Sequence, residues 1–237
     1  MSDDAPKPDA PRPPARRSVD RFLAEAARSP RAQADGRCRL QFALDATASR
    51  QPTWDLACEL QARLFDAARD LADLELELCF FRGFREFRTS GWVRDADALR
   101  RRMTTVRCRA GRTQIERVLR HAIAESRRER VRALIYVGDC MEEDPDRLGD
   151  LAGELGLLGT PVFAFHEGRD PLAAATFRQL ARASGGAFAA FEPGAPDRLA
   201  ALLRGVAVFA AGGREALAAL AREDRTVAGL LEDLGRG

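Results

Sequence analysis

Asp45, Thr47 and Ser49 occupy alternate positions of the segment Asp45-Ala46-Thr47-Ala48-Ser49. An extended backbone points residues i, i+2 and i+4 to one side, so one carboxylate and two hydroxyls converge there, with only alanines between them. Two more oxygen donors stand at comparable places. Thr113 lies in Gly111-Arg112-Thr113-Gln114-Ile115, at the start of a helical pattern, and Asp139 follows an apolar run ending at Val137. Two carboxylates and three hydroxyls, with no nitrogen or sulfur, suit a hard cation. Mg²⁺ or Mn²⁺ in octahedral geometry, with waters filling the gaps, is the fitting ion. A buried Asp45 facing Asp139 would be repelled without a cation between them.

Loops can focus such donors only if a rigid frame carries them. Cys38, Leu40, Phe42 and Leu44 alternate with Arg37, Arg39 and Gln41, which predicts a half-buried strand running into Asp45. Leu56, Leu60, Leu64, Ala67 and Leu71 recur at helical spacing. Leu74 to Phe80 alternates with Glu75 and Glu77 as a second strand, and Arg82-Gly83 reads as a turn into a short edge strand, Phe84 to Arg88. Asp95 to Met103 reads as a short arginine-rich helix. Beyond the break at Gly111, Ile115, Val118, Leu119, Ala122 and Ile123 form a helical face, and Val131 to Val137 reads as a central strand buried on both sides. The alternation continues with helix Leu148 to Leu158, strand Pro161 to Phe165, helix Ala173 to Ala183, strand Ala187 to Phe191 and helix Pro196 to Ala210. Arg214 to Leu234 reads as a final helical segment. Strands separated by helices predict an α/β fold with a mostly parallel, doubly wound sheet. Ligands of such sheets bind beyond the C-terminal strand ends, where Asp45 and Asp139 fall.

Asp-x-Thr-x-Ser after the first strand, Thr113 at the start of a Gly-x-Thr-x-Ile helix and Asp139 after the fourth strand together resemble the von Willebrand factor A (VWA) domain family. That family's metal-ion-dependent adhesion site (MIDAS) uses an Asp-x-Ser-x-Ser motif, a Thr and an Asp in the same chain order. The resemblance covers residues 37–211 and implies the sheet order 3-2-1-4-5-6 with the third strand antiparallel at the edge. It implies Asp45, Thr47, Ser49, Thr113 and Asp139 as the metal set, Asp45 coordinating directly and Asp139 through water. It further implies an interaction domain, not an enzyme, whose ion is completed by an acidic residue of a protein partner; for cytoplasmic bacterial relatives that partner class includes AAA+ ATPases. Two positions depart from the pattern. Thr47 replaces a serine but keeps the hydroxyl, and Gly138-Asp139-Cys140 stands where Asp-Gly is usual.

Composition weighs against rival chemistries. Asp45, Gly138-Asp139 and Asp144 also resemble a haloacid-dehalogenase-type phosphohydrolase. That reaction needs an acid/base two residues after the nucleophile and a lysine for the phosphoryl group. Position 47 is threonine, and Lys7 is the only lysine in 237 residues. No GxSxG elbow is present for serine hydrolysis. An RNA-associated role rests on the arginines at 100–102 and 107–112; with a net charge of +2, few aromatics nearby and acids such as Glu116 and Glu125, a solvated face is the plainer reading. Glu142-Glu143-Asp144 with Asp146 reads as a solvated acidic loop. Five cysteines without CxxC spacing, and His121 and His166 far apart in sequence, do not form a zinc motif.

Residues 1–17 hold five of the twelve prolines and read as a disordered tail without a signal-peptide core, which favours a cytoplasmic location. Residues 18–36 read as a short helix and linker, 37–211 as the main domain and 212–237 as a C-terminal helical extension.

Overall fold

The computed structural model describes residues 38–48, 74–94, 101, 106–193 and 195–234. The tail, the N-terminal helix, the helix over 56–71, most of the helix over 95–103 and Ser49 lie outside the described residues.

Six strands make one sheet. β1 (Cys38–Asp45) pairs in parallel with β2 (Leu74–Arg82) on one side and β4 (Ala133–Gly138) on the other. β5 (Val162–Glu167) and β6 (Ala187–Phe191) extend it in parallel, and β3 (Glu86–Val93) runs antiparallel along β2. The order is β3-β2-β1-β4-β5-β6, as the sequence reading expects. The helices are α1 (Ile115–Arg128), α2 (Pro145–Leu157), α3 (Pro171–Ser184), α4 (Pro196–Ala221) and α5 (Arg225–Asp233). Their starts follow from local chemistry. Asp144, Asp170 and Asp224 each accept a backbone N–H of the first turn, and prolines stand at the start of α2, α3 and α4.

The period-2 alternation of the central strands divides the core into two layers. Leu40, Phe42, Leu44, Ile135, Val137, Phe163 and Phe165 pack with α4 and α5 through Leu203, Val206, Leu217, Val227 and Leu230. Ala43, Leu134, Tyr136 and Ala164 face the other way, with Val118 and Leu119 of α1, Leu155 of α2 and Phe177 of α3.

Three expectations need correction. β1 is buried along nearly its whole length, not half-buried: Gln41 is 0% and Arg39 9% exposed. Both find buried partners on β2, Arg39 donating to Glu75 (2.9 Å) and Gln41 to Glu77 (2.7 Å), so the polar alternation marks a paired layer rather than a wet face. The edge strand starts later and runs further than Phe84 to Arg88. Gly83 takes a positive φ of 60°, residues 83–85 form the turn, and Phe84 is left 78% exposed at its tip. The final segment Arg214 to Leu234 is two helices rather than one. It leaves a break at Gly213 (φ 68°, ψ −161°), a conformation that glycine adopts without a Cβ penalty, runs to Ala221 and resumes as α5 at Arg225. The helix from Pro196 ends at that break, close to Ala210.

Candidate metal centre

β1 and β4 are parallel neighbours with Leu44 opposite Val137, so Asp45 and Asp139 leave the sheet side by side. Asp45 is 0% exposed, and its Oδ1 accepts the Thr47 backbone N–H at 2.7 Å. This turn lays the chain against residue 109: Arg109 N–H donates to the Ala46 carbonyl, Thr47 forms a parallel bridge with Arg109, and Thr47 is buried. One donor atom each of Asp45, Asp139 and Cys140 lies within 4.8 Å of the others.

The electrostatics at this point favour a cation. Asp139 Oδ1 is buried and has no hydrogen-bond partner, and neither has the Tyr136 hydroxyl. That hydroxyl lies against the strand end, since a Cβ on Gly138 would come within 2.6 Å of it. Burial first, then the Asp139 and Asp45 charges, push the Cys140 thiol up to about 12. Burial, followed by Asp45, Glu143, Cys140 and Asp139, raises the Tyr136 phenol well above its usual range. Carboxylates gathered in a low-dielectric pocket, with an unsatisfied acceptor among them, are the surroundings a divalent ion neutralises. The two carboxylates fit a cation, and the Cys140 thiol beside them adds a sulfur that the residue types alone did not offer.

Thr113 is buried and tied to the loop that carries Asp139. Its N–H donates to Glu142 Oε2 (3.1 Å), and the Glu142 N–H donates to Thr113 Oγ1 (3.2 Å). Glu143 accepts the Ile115 and Glu116 N–H groups at 2.6 and 2.9 Å and so caps α1, whose own Gln114 makes no side-chain cap. Glu142 and Glu143 thus staple the two loops together while the acidic run stays largely solvated, with Glu142, Asp144 and Asp146 exposed. A hydroxyl has two lone pairs, so Thr113 Oγ1 can accept from Glu142 and still offer an electron pair to a cation or its water. His166 holds the Asp139 backbone, its Nε2 lying 3.2 Å from the Asp139 carbonyl oxygen.

A close backbone approach sets the Thr113 loop in place. Arg112 N–H donates to the Gly83 carbonyl, and a Cβ on Gly111 would fall 2.0 Å from that oxygen. Gly111→Ala is expected to push the loops apart, costing about 1–3 kcal/mol and lowering the melting temperature by several degrees. Thermal denaturation checks this; an unchanged midpoint would mean the loops do not need the contact.

Of the five residues singled out from sequence, Asp45 and Asp139 converge, Thr47 turns onto Asp45, Thr113 is joined to the Asp139 loop through Glu142, and Ser49 lies outside the described residues. Tyr136, Glu142, Glu143 and His166 were not singled out as site residues. Tyr136 carried a signal, as the one tyrosine of the chain inside an otherwise aliphatic central strand.

No family profile and no curated protein matches this chain in sequence. Solved structures do match in fold. The VWA domain of SpRpn10 superposes with a TM-score of 0.55 at 13% identity, over 66% of this chain and 89% of that one. The vWF domain of the type V pili tip protein Mfa5 from Porphyromonas gingivalis gives 0.57 at 11% identity, over 71% and 93%. Proximal thread matrix protein 1 from the mussel byssus, with a zinc-occupied MIDAS motif, gives 0.57 at 17%, over 75% of this chain and 46% of that one. The fold is that of a VWA domain.

In this VWA fold the rival hydrolase arrangement lacks its parts. Asp144 is committed to capping α2, accepting Asp146 N–H at 3.0 Å, and position 47 offers a hydroxyl where an acid/base would stand. The arginines at the VWA sheet end are partly engaged in pairs, Arg82 with Glu86 (2.9 Å) and Arg120 and Arg147 with Glu116. No helix among the described residues is long and apolar enough to cross a membrane.

Proposed function

We propose that this chain is a metal-dependent protein-interaction domain with no catalytic activity of its own. The ion is Mg²⁺ or Mn²⁺, held by Asp45, Thr47, Ser49, Thr113 and Asp139, with Asp45 coordinating directly and Asp139 through water. One coordination position stays open for a carboxylate of a protein partner, as an adaptor for an AAA+ ATPase in the cytoplasm would require. The observation that carries this reading is the convergence of Asp45 and Asp139 with a buried, unpartnered Asp139 Oδ1.

The rim supports a protein rather than a small molecule. Phe84 stands 78% exposed on the turn that Arg112 binds through its backbone, next to Thr113 in sequence. The Arg109 side chain is 68% exposed close by, 3.8 Å from Glu86. An aromatic anchor and arginines around one metal-bound carboxylate make a patch suited to an acidic protein surface. Recovery of a partner from lysate is expected with Mg²⁺ and not with EDTA, and Phe84→Ala should weaken it by 1 kcal/mol or more, about fivefold or greater. Thr113→Ala should lower it without unfolding the domain. Equal recovery with EDTA and by Thr113→Ala would place binding elsewhere on the molecule.

A further inference from the structure

A second group of donors lies away from the sheet end, between β2, β1 and α1. Glu77 and Cys79 alternate on β2 and so share one face, and α1 lays His121 over them. His121 Nε2 stands 2.9 Å from Glu77 Oε2, and one donor atom each of Glu77, Cys79 and His121 lies within 4.8 Å of the others. Glu77 and Cys79 are 2% and 1% exposed. The His121 side chain is 23% exposed, which leaves a route from solvent to the group. The β2–β3 register shifts beside Glu77 and Cys79, where β3 carries one extra residue and Gly91 takes a positive φ of 65°.

A plain histidine–carboxylate pair accounts for Glu77 and His121 and for nothing else here. It explains neither the thiol brought to both nor Gln41. Gln41 is 0% exposed and donates its Nε2 to Glu77 Oε2 at 2.7 Å, while its Oε1 is buried without a partner. Such an acceptor is costly unless a cation or a bound water meets it. We propose that Glu77, Cys79 and His121 form a cation site for Zn²⁺, with Gln41 orienting Glu77 and presenting its Oε1 to the fourth position. One oxygen, one sulfur and one nitrogen donor select a borderline-soft ion and disfavour Mg²⁺. Around a tetrahedral zinc, donors at about 2.0–2.3 Å stand roughly 3.3–3.7 Å apart, so the group needs adjustments on the order of 1 Å. Loss of the Cys79 proton on binding leaves a thiolate on the metal, the proton passing to solvent. The site shares no residue with the Asp45 centre and does not depend on it.

Co²⁺ titration of the chelator-stripped full chain tests this, because a tetrahedral cobalt thiolate shows intense visible bands and a sulfur-to-metal charge-transfer band. One Co²⁺ per chain with both features, displaced by Zn²⁺, is expected in the wild type, in Asp45→Ala and in Cys140→Ser. Cys79→Ser should lose the charge-transfer band. His121→Ala, with its fold checked by circular dichroism, should lower affinity by about tenfold or more. No thiolate band in the wild type, a band that survives Cys79→Ser, or one that disappears with Cys140→Ser would each overturn the assignment. The last would move the soft ion to the Asp45 centre.

Discussion

Asp45→Asn is expected to stabilise the EDTA-stripped protein and to abolish the further stabilisation that Mg²⁺ or Mn²⁺ gives the wild type. Asp45 is fully buried, and one of its oxygens lies within 4.8 Å of an Asp139 oxygen. Without a cation the two charges repel in a low-dielectric site; asparagine keeps the shape, still accepts the Thr47 N–H and removes the repulsion. The gain is on the order of 1–3 kcal/mol, the usual cost of a buried polar group left unsatisfied. In saturating metal the wild type recovers most or all of that difference. A ligand bound only by the native state at 100 times its dissociation constant adds about 2.7 kcal/mol, and the variant loses that linkage. Millimolar metal should therefore raise the melting temperature of the wild type and leave that of the variant where EDTA leaves it. Parallel shifts would mean that Asp45 does not hold the ion.

Deletion of the chain from Gly213 onward should destroy the fold rather than trim an appendage. Leu217, Leu220, Val227 and Leu230 are each 4% exposed or less and belong to the same core layer as Leu40, Phe42 and Val137. At about 1.5–3 kcal/mol for each buried aliphatic side chain, their loss rivals the entire stability of an ordinary domain. Asp233 Oδ2 also accepts the Phe188 N–H at 2.7 Å, which covers a backbone donor on edge strand β6. The truncated protein is expected to lack a cooperative thermal transition and to be cut rapidly by protease. A soluble, cooperatively melting product would show that these helices only decorate the domain.

Much of the fold was legible because most of the described strands and helices carry a local pattern. Apolar alternation marked β1 and β2 and the aliphatic run marked β4, while α2 and α3, read from Leu148 and Ala173, start two to three residues earlier at the Asp144-Pro145 and Asp170-Pro171 pairs. The order of strands and the antiparallel edge came from the family resemblance, carried by five residues at strand and helix ends. What stayed hidden depends on partners distant in the chain. Nothing near Gln41 or Arg39 signals that Glu77 and Glu75, 36 residues on, will bury them. Nothing near Glu142 and Glu143 signals that the Thr113 loop, some 28 residues earlier, donates its backbone to them. The meeting of His121 with Glu77 spans 44 residues and two elements, so no local spacing marks it.

The central claim, a divalent ion held between the ends of β1 and β4, is tested most directly by Mn²⁺ titration followed by electron paramagnetic resonance. The wild type should remove one equivalent of Mn²⁺ from the free-ion signal, and Mg²⁺ should return it. Asp45→Ala should remove none, and Asp139→Ala and Thr113→Ala should bind more weakly. A free-ion signal that the wild type leaves undiminished, or that all four proteins diminish equally, would contradict the account.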